Sequence, residues 1–98
     1  MPEITIVYWR DIPAQVLSGS GRRGLRAALP DRFEKAVDRA AMRSGTVGTD
    51  AYLAEWRKAP PVAVEGDADS ALAATVARLE AEYDDNRLAR LIDNDGWA

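Results

Sequence analysis

The chain has 98 residues, with 13 Lys or Arg against 16 Asp or Glu and a formal net charge of −3. It has no cysteine and no histidine, which excludes disulfides and thiolate catalysis and removes the commonest general base and metal ligand. A chain of this length forms one domain that buries about 60 to 70% of its unfolded surface. We therefore expect a single non-catalytic domain with no metal site and no cofactor.

The first part of the chain predicts strands. Residues 3–9 alternate β-branched and aromatic side chains, as a strand does. Residues 10–13 predict a turn, because Pro13 fixes φ and lacks an amide donor. Returning strands are expected over 14–18 and 25–29, so that a β-hairpin leads a three- or four-stranded antiparallel sheet.

The stretch from Gly19 to Gly24 matches the G-x-G-x-x-G pattern. In a dinucleotide fold these glycines open a helix directly after a strand, whereas here the next helix is delayed until after Pro30. A hairpin loop between two strands is the preferred interpretation. The alternatives are a loop that binds an anion through its amides and Arg22 or Arg23, and dinucleotide binding.

Residues 30–58 predict two amphipathic helices, over 31–44 and 50–58, joined by a glycine-bounded turn. Asp31 and Glu34 have the spacing of a capping box at the start of the first helix. The apolar positions of that helix recur at helical spacing and form one narrow face suited to packing on the sheet.

The predicted core centres on this face. Phe33 and Val37 are expected to lie against the sheet, with Ile4, Ile6 and Leu53 nearby. The resulting fold class is α+β, with the helices packed on one face of the sheet, because strand patterns precede residue 30 and helix patterns follow it.

The last third of the chain begins with residues 59–66, which predict a linker or a short edge strand. The longest helix is expected over 68–83, capped by Asp67 or Asp69. Residues 84–98 predict an acidic C-terminal tail, in which Asp84, Asp85 and Asn86 break or recap the helix and Leu88, Leu91 and Ile92 form a last apolar turn.

Charge is unevenly distributed: residues 1–58 carry a net charge of +3 and residues 59–98 a net charge of −6. This asymmetry favours electrostatic docking within the chain or with a partner. Trp97 is expected to pack back on the domain or to dock on a partner, because an indole near a chain end buries its ring.

The candidate contact residues are of the types enriched at interface hot spots. They are expected to contact another protein or an anion and are Trp9, Arg10, Arg22, Arg23 and Trp56. The alternative places Trp9, Tyr52 and Trp56 in the core, because a domain with one Phe needs its large side chains inside.

Other partners and locations are not favoured. Nucleic-acid binding is not expected, since Phe33 is the one aromatic residue within the basic stretch 18–43. The apolar runs fall short of the roughly 18 residues of a membrane span, and the first residues lack the order of a signal peptide. We therefore expect a cytoplasmic protein that does not enter the membrane, and its oligomeric state is left open.

Three segments within residues 4–58 carry a resemblance: TIVYWRDIPAQV (Thr5–Val16), LPDRFEKAVDRAAMRSG (Leu29–Gly45) and TDAYLAEWRK (Thr49–Lys58). In them the chain resembles the small bacterial domain family named virulence factor, which occurs both free-standing and as a domain of a larger repeat-containing protein. The resemblance implies no catalytic residue and no cofactor.

The leading functional interpretation is a non-catalytic module that binds another protein. The alternative is a protein that binds a small ligand or an anion such as a phosphate, a nucleotide or a folate. The resemblance implies, for this alternative, an accessory role beside folate-linked or corrinoid-dependent methyl transfer, exerted through a partner.

Overall fold

The computed structural model describes residues 3–19 and 25–98. The strands are β1 (Glu3–Trp9), β2 (Ile12–Ser18), β3 (Leu25–Ala28), β4 (Trp56–Lys58) and β5 (Val62–Ala63). The helices are α1 (Asp31–Ser44), α2 (Asp50–Ala54), α3 (Ala68–Glu82) and α4 (Asp85–Asp93). Within these ranges, no helix is long and apolar enough to cross a membrane.

The strands form one antiparallel sheet in the order β3-β2-β1-β4, and β5 pairs with β1 beyond β4. Helix α3 lies against β1, β2 and β3, while α1 packs against β2 and α4. The predicted α+β class and the leading hairpin are confirmed. Ser18 and Leu25 face each other across the antiparallel β2–β3 pair. The predicted hairpin loop between these strands falls mainly on residues 20–24, which lie outside the described ranges.

The turn of the first hairpin is shorter than the predicted turn over 10–13. Trp9 pairs with Ile12, so that only Arg10 and Asp11 form the turn, and Arg10 adopts a left-handed φ of 53°. Pro13 is accommodated within β2 because the register shifts there, as at a β-bulge.

The second helix was predicted over 50–58, and this prediction is wrong at its C-terminal end. Helix α2 has five residues and buries none of them. Its expected last turn is instead β4, which pairs with β1 from Val7 to Trp9. A strand forms because these residues supply hydrogen-bond partners to the exposed edge of β1, which outweighs local helix propensity.

The edge beside β1 continues beyond β4. The amide of Ala59 donates to the Ile6 carbonyl at 2.9 Å, the two prolines Pro60 and Pro61 interrupt the pairing, and β5 then resumes it. The predicted edge strand within 59–66 is therefore present, and its prolines break the continuous row of donors that invites edge-to-edge association.

Helix α1 has the predicted bounds but a different start. Asp31 is its first residue, Pro30 occupies the N-cap position, and no side chain caps it, so the capping-box prediction for Asp31 and Glu34 is wrong. Their carboxylates still lie at the positive end of the helix dipole. Gly45 ends the helix in the left-handed conformation with a φ of 75°.

The two C-terminal helices are capped by aspartates. The Asp67 carboxylate accepts hydrogen bonds from the Ser70 amide and hydroxyl at 2.7 and 3.1 Å, and these bonds lower the pKa of Asp67. Residues 84–98 were predicted as a tail, but they contain α4, which Asp84 caps. The helix forms because it buries Leu88 and Leu91 on the domain.

The core confirms the predicted apolar face of α1. Phe33 and Val37 are buried, and they belong to one cluster with Ile4 and Ile6. The predicted place of Leu53 in this cluster is wrong, since its side chain is 66% exposed. Helix α2 has only five residues and none of them is buried, so this helix adds no side chain to the core.

We predict that Phe33→Ala lowers the free energy of unfolding by about 3 to 5 kcal/mol, because it leaves a cavity in the core. Urea denaturation measures the loss. Met42→Ala on the same helix is the control, and it should change stability by less than about 0.5 kcal/mol because Met42 is exposed. A loss below about 1 kcal/mol for Phe33→Ala would contradict the assigned core.

Candidate functional site

The structure separates the five predicted contact residues. Trp9 is fully buried, and the side chain of Arg10 is only 11% exposed. Trp56 is 36% exposed. Arg22 and Arg23 lie outside the described residues. Of the three that are described, Trp56 is thus the one that offers substantial surface to a partner.

Trp9 and Arg10 hold the chain together at the end of the first hairpin. The guanidinium carbon of Arg10 lies 4.9 Å from the centre of the Trp9 ring and 5.0 Å from that of Trp97. Its Nη1 donates to the Asp95 carbonyl at 2.7 Å, and its buried Nε lies 3.7 Å from the Glu55 carboxylate. We call this arrangement the Arg10 junction.

Two further contacts reinforce the Arg10 junction. The Trp9 indole donates to the Tyr52 carbonyl at 3.0 Å, which ties α2 to β1. The Asp11 amide donates to the Gly96 carbonyl at 2.8 Å. Trp97 therefore folds back on the domain, which confirms one of the two expectations for it, although 43% of its surface stays exposed.

The approach of Gly96 to the Arg10 junction is close. Gly96 has a φ of +94°, and a Cβ at this position would lie 2.9 Å from Cζ3 of Trp9 and 3.2 Å from Cδ of Arg10. Glycine is thus required here for two separate reasons, conformation and space.

Beside the Arg10 junction, Tyr8 lies under the guanidinium of Arg57 at 4.6 Å. Burial raises the pKa of Tyr8 above its ordinary value of 10.0, with the neighbouring Tyr83 adding to the effect and Arg57 opposing it. Tyr8 therefore stays a neutral phenol near pH 7. Because the pKa of Tyr8 is higher in the folded state than in the unfolded state, the contribution of the neutral phenol to the free energy of unfolding is fully present below pH 10. This contribution is lost as the pH rises above 10.

Exposed apolar side chains lie on the other side of α2. Met42 and Val47 are 64% and 55% exposed, and they line a cavity of about 250 Å³ together with Tyr52, Gly48 and Asp38. The Tyr52 ring meets the Trp56 ring edge-on, with centres 6.0 Å apart.

A second cavity of about 250 Å³ adjoins the first through Asp38, which lines both. It lies between α1 and the sheet, and its lining residues are Ala14, Gln15, Ala28, Leu29, Glu34, Val37, Asp38 and Trp56. We call the two cavities together the Asp38 groove. Its walls are mainly apolar, and its charged side chains in the described part of the chain are Glu34 and Asp38.

Sequence reasoning missed most of the Asp38 groove. Met42 lies off the periodic apolar face of α1, and an apolar residue outside that face is a signal that could have been used. Val47 lies in the turn that ends at Gly48, where no pattern predicts exposure. Asp38 lies off the apolar face of α1, where a charged residue by itself indicates only a solvated helix surface.

A separate cleft lies between α1 and α4. It has a volume of about 270 Å³, and its charged lining residues are Arg32, Lys35, Arg39 and Asp85. Arg32 is already engaged, because it donates to the carbonyls of Tyr83 and Glu80 at the end of α3. Arg32 therefore links α1 to the end of α3. Two further cations, Lys35 and Arg39, line the cleft.

The Asp38 groove is mainly an apolar surface. Among residues 3–19 and 25–98 there is no group of three or more acidic side chains placed to hold a metal ion. The Asp38 groove offers aromatic rings and apolar walls, which are the usual anchors of a protein interface.

Comparison with known proteins identifies a family. The family model described as virulence factor matches residues 7–92. The match runs from β1 to α4 and so includes both sides of the Asp38 groove and most of the Arg10 junction. Searches of curated proteins and of solved structures gave no match.

We predict that Gly96→Ala destabilises the domain by about 2 to 4 kcal/mol, because left-handed strain and overpacking against Trp9 add. Gly66→Ala is the control, since Gly66 has a φ of +86° but open space around it. It should cost only the strain, about 1 to 2 kcal/mol. Equal losses of unfolding free energy for the two variants would show that the contact with Trp9 is unimportant.

Proposed function

We propose that this chain, which belongs to the virulence factor family, is a non-catalytic module that binds another protein through the Asp38 groove. The observation that carries this proposal is the gathering of exposed Met42 and Val47 with Tyr52 and Trp56 along one groove. Removing apolar side chains from water is favourable, so their exposure along one groove suits a partner that covers them.

Three features support an interaction role. Large apolar side chains exposed together mark interaction surfaces more often than single ones do. Trp and Tyr are among the residues that contribute most to binding energy at interfaces. The lack of His and Cys removes the commonest general base and the thiolate nucleophile, and leaves carboxylates, lysines and tyrosines for any proton transfer near neutral pH.

A second candidate is binding of an anionic group by the loop that carries Arg22 and Arg23. It is favoured by the two arginines within the glycine-rich stretch 19–24, which lies between β2 and β3 in the sequence. A phosphate, a nucleotide or a folate would suit such a loop, as would an acidic group of a partner. The accessory role beside methyl transfer belongs to this candidate.

We predict that Met42→Lys and Val47→Lys each abolish capture of proteins that the wild-type chain retains from a lysate of its native cells. Lysine places a charge where an apolar contact is expected, and both positions are exposed, so folding should be unaffected. Quantitative mass spectrometry of the retained proteins measures the effect, with melting temperature recorded for each variant.

The matched control for this experiment is Val62→Lys. Val62 is 61% exposed but lies on β5 and does not line the Asp38 groove. The Val62→Lys variant should retain the same proteins as the wild type. Loss of the same proteins from all three variants, or from none of them, would reject the Asp38 groove as the binding surface.

For the second candidate we predict that Arg22→Ala combined with Arg23→Ala weakens binding of inorganic phosphate or a nucleotide while the melting temperature changes little. The weakening should be largest at low ionic strength, where exposed charges are least screened. Isothermal titration measures it, and Arg78→Ala with Arg90→Ala is the charge-matched control. Unaltered affinity at low ionic strength would reject Arg22 and Arg23 as the anion site.

A further inference from the structure

Helix α1 carries opposite charges on its two sides. Glu34 and Asp38, one helical turn apart, line the Asp38 groove, whereas Lys35 and Arg39 line the cleft with α4. The net positive charge of the first 58 residues therefore does not describe the groove, whose own charge is negative.

The two groove carboxylates have no partner among the described residues. Neither Glu34 nor Asp38 forms an ion pair within 4.0 Å in residues 3–19 and 25–98. The arginines that form ion pairs in the described residues contact other carboxylates. Arg43, for example, lies 3.5 Å from the Asp95 carboxylate. The position at the centre of the Asp38 groove thus remains suited to a cation from outside.

We infer that the Asp38 groove binds a segment of another protein in which apolar side chains flank a lysine or arginine. This inference rests on the function proposed above and adds the chemistry of the partner. The apolar side chains pack on Trp56 and Tyr52, and the cation lies against Asp38, with Glu34 one turn away.

The division of roles within the Asp38 groove follows from the physics of exposed charges. The aromatic and apolar walls supply most of the affinity, since exposed ion pairs contribute little. The carboxylates instead select the partner, because a like charge placed opposite them is repelled and an opposite charge is attracted. Nucleic acids and anionic lipid surfaces are disfavoured for the same reason.

The first step of the test is selection of random linear peptides displayed on phage against the full chain. We expect the enriched peptides to combine aromatic or large aliphatic residues with Lys or Arg. Enrichment of acidic peptides, of uncharged apolar peptides, or of none would overturn the inference.

The second step measures one enriched peptide by isothermal titration against Asp38→Asn combined with Glu34→Gln. We expect affinity to fall about three- to tenfold at low ionic strength, and by less at high ionic strength, since two exposed charge contacts are lost. The control is Glu80→Gln with Asp93→Asn, which removes the same charge from α3 and α4 outside the groove. An equal loss in the control would overturn the inference.

Failure of this inference is distinguishable from failure of the proposed function. If Met42→Lys and Val47→Lys abolish peptide binding while the Asp38 and Glu34 changes have no effect, the interaction module stands and the basic partner is rejected. If instead sedimentation shows a dimer of this chain that Met42→Lys dissociates, the occupant is a second copy and the inference is overturned.

Discussion

The cation of Arg10 between the rings of Trp9 and Trp97 is the contact on which the arrangement of the chain depends. Arg10 lies in the turn of the first hairpin, yet its partners come from the C-terminal segment and from Glu55 after α2. One residue thus joins the beginning, middle and end of the chain. Cation–π contacts of this kind strengthen when the cation is removed from water, and the Arg10 side chain is nearly buried.

This junction also explains which aromatic residues are available for binding. Trp9 is used inside the domain, where its indole donates to α2 and its ring contacts Arg10. Tyr52 and Trp56 follow on the chain and extend from the same cluster toward the surface. The aromatic cluster is therefore continuous from the core to the Asp38 groove, so that the aromatic side chains of the groove rest on the packed interior.

The two sides of α1 have different uses. Its buried face packs into the core through Phe33 and Val37, and one exposed side faces α4 with cations. The other exposed side borders the Asp38 groove with carboxylates. A solvated helix surface with mixed charges is commonplace, but here the neighbouring elements sort the charges into separate surfaces, so that net charge is a poor guide to the charge of either surface.

The sequence by itself determined the α+β class, the bounds of β1 and α1, and the buried face with Phe33, because alternation and helical periodicity are local consequences of backbone geometry. The tertiary structure decided that residues 56–58 form a strand, since the open edge of β1 needs hydrogen-bond partners. It also decided that residues 85–93 form a helix that buries Leu88 and Leu91. The Asp38 groove lies between α1, α2 and the strands β2, β3 and β4. No local pattern reports which side chains meet there, because surfaces between elements exist only after packing.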